Sequence, residues 1–252
     1  MLGYARLDQG LCRRRALGYN DNRYQAWFCA RAGGSPMRRL WRIVKYSLGL
    51  LGLFVVAQAA LRLFRRLYPF PVPAGMTRLL DSPVREWASP RATTLEHLGL
   101  QPGMQVLEVG PGSGLLTAEL ARRVGPEGRV SSVDAEPRIV ALVSGRVKAE
   151  GFENVETRVA SGWDLPYADG TFDLALLVTA LGKIPDKGRL MRELRRVLKK
   201  DGRLSVTEAF ADPDYLLMAE VVNWANMAGF ELVEQHGNAI LYTLNFRSLF
   251  GP

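Results

Sequence analysis

The stretch QVLEVGPGSG, Gln105 to Gly114, decides how this chain is read. A short apolar run carries an acid, Glu108, two residues before a loop with glycine at 110, 112 and 114. The run reads as a buried strand and the residues after Gly114 as a helix. The glycines then form the turn from strand into helix N-terminus, where a ligand can approach the backbone closely. The dinucleotide fingerprint G-x-G-x-x-G wants its third glycine where Leu115 stands, and no Gly-Lys-Ser/Thr of a phosphate loop follows. Glu108 would repel a pyrophosphate and suits a ligand with positive charge.

Outward from this loop, strand and helix patterns alternate. Residues 104–109, 129–134, 155–160, 172–178 and 202–210 read as strands. Residues 115–124, 137–150, 187–199 and 215–228 read as helices. Residues 230–235 and 239–246 read as two strands joined by a tight turn at 236–238, an antiparallel pair. The alternation implies an α/β fold: a mostly parallel sheet with helices on both faces, made mixed by the closing hairpin. Asp134 ends the second strand, where a carboxylate can take both hydroxyls of a ribose. A site that accepts a ribose and a cation without calling for phosphate fits S-adenosylmethionine.

The segments VLEVGPGSG, VSSVD, LPYADGTFDLALLVTALGKIPD and RELRRVLKKDGRLSVTEAF, in that order, resemble the successive motifs of the class I S-adenosylmethionine-dependent methyltransferases. The closest flavour is the ubiquinone/menaquinone-biosynthesis-like branch, and the resemblance covers about residues 95–246. It implies a Rossmann-like sheet of seven strands with the last inserted antiparallel, and S-adenosyl-L-methionine as cofactor. It further implies that Gly110, Gly112 and Gly114 lie under the methionine portion and that Glu108 holds the amino group, directly or through water. Asp134 would bind the ribose, with Ala135 near the adenine. The family's acid before the Leu-Pro pair is replaced by Ser161, whose hydroxyl would bond the adenine amino group. Gly162 and Trp163 follow it, the latter as an apolar wall or a core aromatic. Thr179 would lie beside the cofactor at the end of the fourth strand. Lys183 stands where many relatives carry histidine, so no catalytic base is assigned. Glu208 and Tyr167 are candidates for the pocket edge, each weighed against a structural role.

The N-terminal third differs in character. Residues 1–80 carry 14 Lys and Arg against 2 acids, whereas the remainder is slightly acidic. The basic segment therefore points to an anionic surface such as lipid headgroups, and the acidic domain argues against nucleic acid as a partner. Residues 1–36 read as a poorly ordered basic extension and 37–67 as a membrane-anchor helix. Residues 68–80 read as a proline-rich linker and 81–252 as the methyltransferase domain. Tyr46 to Leu61 holds no charge, and basic clusters flank both ends, which suits either a spanning or an interfacial helix. The cofactor's supply places the catalytic domain in the cytoplasm.

Both cysteines, Cys12 and Cys29, lie in the extension, so the domain has neither a disulfide framework nor a cysteine-based metal site. His97 and His236 are far apart in sequence and read as surface or capping residues. The expected acceptor is a small apolar or lipid-like molecule. The alternatives are methylation of a protein or other macromolecule, and cofactor binding without catalysis.

Overall fold

The computed structural model describes residues 36–67 and 91–249. The extension before Pro36, the linker 68–80, the expected first ten residues of the domain (81–90) and both cysteines lie outside them. Two compact units make up the chain, parting inside its long N-terminal helix.

That helix, α1 (Pro36–Leu67), spans 32 residues. Proline at its first position costs no hydrogen bond, because the first N–H groups of a helix are unpaired in any case. Within it, Arg39–Ala60 has a mean hydropathy of 1.7 and none of its hydrophobic window is buried. Every large apolar side chain from Leu40 to Val56 is exposed. These 22 residues extend about 33 Å, close to the thickness of a bilayer's hydrocarbon core.

The next described element after α1 is α2 (Arg91–His97). The sheet elements follow in strict alternation: β1 (Gln105–Val109), α3 (Leu115–Val124), β2 (Arg129–Asp134), α4 (Pro137–Ala149) and β3 (Val155–Val159). After them come β4 (Phe172–Val178), a 3₁₀ turn (Leu181–Lys183), α5 (Lys187–Val197), β5 (Leu198–Ala209), α6 (Met218–Met227), β6 (Phe230–Gly237) and β7 (Leu241–Ser248). The seven strands lie in the order β3-β2-β1-β4-β5-β7-β6. The first five are parallel, and β7 enters antiparallel between β5 and β6. The expected fold class is therefore observed.

Side chains on the central strands alternate between two cores. Val106 on β1 and Leu174 and Leu176 on β4 face one cluster with Leu95, Leu116 and Leu120 of α2 and α3. Leu107, Val109, Ala175 and Leu177 face the other, with Leu190 and Leu194 of α5 and Val221 of α6. Apolar residues at consecutive positions thus reflect a sheet covered on both faces.

Element ends differ from expectation where tertiary contacts compete with periodicity. The helix expected to reach residue 199 stops at Val197, because Leu198 turns extended and pairs with Phe172 to open β5 through a bulge. The last helix starts at Met218, not 215. Tyr215 is instead buried in the preceding loop, where its hydroxyl donates to the Ala239 carbonyl at 2.6 Å. The hairpin turn lies at 238–240, not 236–238. Asn238 Oδ1 accepts from the Ile240 N–H at 2.8 Å, holding the bend two residues later.

The two histidines meet. His97, at the end of α2, stacks on His236 of β6 with ring centroids 4.0 Å apart and planes 4° from parallel. Asn245 of β7 donates to the His97 carbonyl at 2.7 Å, and Arg203 of β5 donates to those of Leu98 and Gly99. Burial first and His236 second hold the His97 imidazole below its ordinary value, against the pull of Glu96 and Glu234. The neutral ring is thus favoured in the folded state. Its contribution to stability is full above the unfolded histidine value and is lost as pH falls below it. The raised carboxyls of buried Glu108 and Glu208 gain stability over the same fall in pH, so the histidine is read by difference: relative to His97→Gln, the unfolding temperature of the full-length protein is expected to drop between about pH 7.5 and 5.5. His236→Gln is expected to flatten that drop, as read by near-ultraviolet circular dichroism.

Candidate functional site

The residues singled out in the sequence, Tyr167 apart, gather at the carboxyl ends of the strands. Neighbouring strand ends are tied in series there. Gly110 N–H donates to the Val133 carbonyl at 2.9 Å, Ala160 to Asp134 at 3.0 Å, and Thr179 to Thr207 at 2.8 Å. The carboxyl ends of β1 to β5 therefore form one continuous rim. Along it the strand order reverses, β2 and β3 leaving β1 on one side and β4 on the other, the place where open α/β sheets take ligands.

Gly110, Gly112 and Gly114 all hold positive φ, at 77°, 59° and 79°. At Gly110 the space is closed as well, since a Cβ would stand 2.8 Å from that of Ala180. The loop is thus pressed against the end of β4 and presents backbone rather than side chains, leading directly into the N-terminus of α3.

Glu108 shares the face of Val106 and points toward α3, only 3 % exposed. Its Oε2 accepts from Thr117 Oγ1 at 2.6 Å and from Ser132 Oγ at 3.2 Å. Burial outweighs these two hydroxyls and pushes the carboxyl up to about 7. Neither hydroxyl was marked from the sequence. The available signal was a polar residue at a buried position in each element, Thr117 beside Leu116 and Leu120 and Ser132 inside an apolar strand.

Asp134 closes β2 half-buried, and its Oδ1 accepts from the Glu136 N–H at 2.9 Å. Burial raises its carboxyl. Ala135 beside it is exposed. Across the tie from Asp134 to Ala160 lies the turn bearing Ser161, Gly162 and Trp163. Gly162 is buried, and Ser161 and Trp163 are half-buried. Trp163 belongs to neither core cluster.

At the end of β4, Thr179 is buried with φ at 51°, the one positive-φ residue other than glycine among the described residues. For a β-branched side chain this conformation costs about 1–3 kcal/mol and persists only where the surroundings enforce it. Its N–H is held by Thr207, and its carbonyl accepts from Lys183 Nζ. Lys183 also donates to Asp212 Oδ2 at 2.6 Å. Asp212 lies in the loop after β5, where no sequence pattern marks it. Glu208 ends β5 at 1 % exposure with Oε1 unpartnered among the described residues, and burial pushes its carboxyl up to about 8. Tyr167 packs as a structural aromatic, the reading weighed against a place at the pocket edge. Its ring meets Phe172 edge-on at 4.9 Å, at the opposite end of β4 from Thr179, because the aromatic pair fills the core under the β4 entrance.

A family model described as a methyltransferase domain matches residues 100–245. A ubiquinone/menaquinone biosynthesis C-methyltransferase of Idiomarina loihiensis is 30 % identical over 148 residues, 58 % of this chain and 57 % of that protein. One of Teredinibacter turnerae is 36 % identical over 126 residues, half of each chain. The chain thus spans about half the length of the curated relatives it matches. The crystal structure of an S-adenosylmethionine-dependent methyltransferase from Aquifex aeolicus has the same fold, with a TM-score of 0.65 and 22 % identity over 70 % of this chain and 98 % of that one. The glycine rim, the ordered strands and the family match agree: this chain belongs to the class I S-adenosylmethionine-dependent methyltransferases, with S-adenosyl-L-methionine as its cofactor.

Proposed function

We propose that the chain is a membrane-associated enzyme that methylates a small lipid-like acceptor, a prenylated hydroquinone being the best fit. The observation that carries this reading is a 22-residue apolar helix, with nothing buried in its hydrophobic window, on a methyltransferase chain. A catalytic domain held at a bilayer gains effective concentration toward a substrate dissolved in it. The relatives named for ubiquinone and menaquinone biosynthesis support a quinol-type acceptor. In this reading residues 37–67 anchor the protein, 68–80 link, and the domain from 81 onward works at the cytoplasmic face.

The rim fits the cofactor. S-Adenosylmethionine supplies an electrophilic methyl group on a sulfonium. Gly110, Gly112 and Gly114 give its amino-acid end a backbone cradle. Glu108, nearly buried, acts on the ammonium through water and not by direct contact. Asp134 takes the ribose hydroxyls. Ala135, Ser161, Gly162 and Trp163 surround the adenine, and Thr179 stands beside the sulfonium. The chain's contribution to the reaction is alignment and exclusion of water.

Three outcomes are expected. Full-length protein in membranes, given cofactor with a labelled methyl group and a reduced prenyl naphthoquinone, should label the quinone recovered from the lipid fraction. Labelled protein or RNA with unlabelled lipid would reject the reading. Gly110→Ala should weaken cofactor binding by about tenfold or more, since its Cβ meets Ala180 and its backbone is left-handed. Calorimetry measures that loss. Glu108 carries a proton part of the time near neutrality, and a bound ammonium favours the carboxylate. Cofactor binding near pH 7 should therefore release a fraction of a proton, visible in buffers of different ionisation heat and abolished in Glu108→Gln.

A further inference from the structure

With the ribose at the end of β2 and the amino-acid tail at the loop after β1, the acceptor must approach from the other side of β1, the ends of β4 and β5. Lys183 stands there. Its ammonium is held by the Thr179 carbonyl and Asp212 Oδ2, while its side chain keeps 31 % exposure against 11 % for Asp212. An ammonium has three donors, and among the described residues two are taken. The mount is stiff. A Cβ on Gly182 would stand 1.8 Å from the Asp214 carbonyl oxygen, so the 3₁₀ turn and the loop after β5 are pressed together. Behind the pair, Glu208 is buried with Oε1 unpartnered among the described residues. Asp214 and Lys187 complete the charged surroundings, and Lys187 Nζ donates to the carbonyls of Gly182 and Ile184.

We propose that Lys183 binds the ionised oxygen of the acceptor, making the end of β4 a subsite for a phenolate or enolate. The proposal rests on the acceptor reading above. A ring carbon becomes strongly nucleophilic only when its neighbouring hydroxyl ionises, and a fixed cation beside that oxygen favours the ionised form. Asp212 keeps the ammonium in place and offsets part of its charge. The strain at Thr179 is thereby explained. Its inverted backbone turns a carbonyl toward the ammonium and fixes where the cation stands.

An alkylated 4-nitrophenol tests this, because its absorbance reports its own ionisation. It is titrated with the full-length protein in detergent micelles, in the presence of S-adenosylhomocysteine. The wild-type protein is expected to lower the phenol's pKa by about one unit, tenfold in ionisation constant. Lys183→Met should abolish that shift. Asp212→Asn, which removes the countercharge, should enlarge it. A structural role alone would move both variants in the same direction. Equal shifts in wild type and Lys183→Met, no shift in wild type, or variants moving together would overturn the proposal. Cofactor affinity within about threefold of wild type in either variant confirms its fold, and the wild-type shift stands as a test without any variant. Failure of the acceptor reading looks different: the wild-type protein shifts the phenol's pKa yet labels no hydroquinone.

Discussion

At the carboxyl end of the central parallel pair, Gly110 and Ala180 approach so closely that a side chain on the first would collide with the second. Every other feature of the site depends on that approach. It brings the loop after β1 against the end of β4, so that a ligand lying on the glycines reaches Thr179 and the turn that follows it. The backbone ties from Gly110 to Val133, from Ala160 to Asp134 and from Thr179 to Thr207 extend the same contact along five strands. A ligand placed at any point on this rim is therefore registered against all of it.

The rim concentrates features that a folding domain would otherwise avoid. Two carboxyls, Glu108 and Glu208, are almost fully buried, and burial raises both. A threonine is held in a left-handed conformation, and one carboxylate oxygen lacks a partner among the described residues. Each is unfavourable, and all lie at the carboxyl ends of β1, β4 and β5. The two apolar clusters on either face of the sheet supply the stability that tolerates them. Glu108 is the instructive case. Two hydroxyls soften its burial without cancelling it, which leaves it poised near neutrality and responsive to a neighbouring cation.

The long helix follows a different pattern. Leu, Val, Ile and Phe side chains stand exposed on every side of it, a pattern that water penalises and hydrocarbon rewards. The domain's strands carry the opposite solution, with apolar side chains turned to both faces and covered by helices.

The sequence by itself determined the order and kind of the elements, the covered sheet, the glycine turn and the carboxylates Glu108 and Asp134. These are local or periodic properties, set by side-chain alternation, by the backbone freedom of glycine and by position at a strand end. Only the tertiary structure decided what depends on residues distant in the chain meeting. It ended α5 at Val197 because Leu198 pairs with Phe172. It packed Tyr167 edge-on against Phe172 and stacked His97 on His236. It gave Glu108 its hydroxyl partners and Lys183 its carboxylate. No period or spacing encodes the contact between Lys183 and Asp212. The parallel pairing of β4 with β5 carries the turn and the loop that follow them to the same end of the sheet, and there the two charges meet.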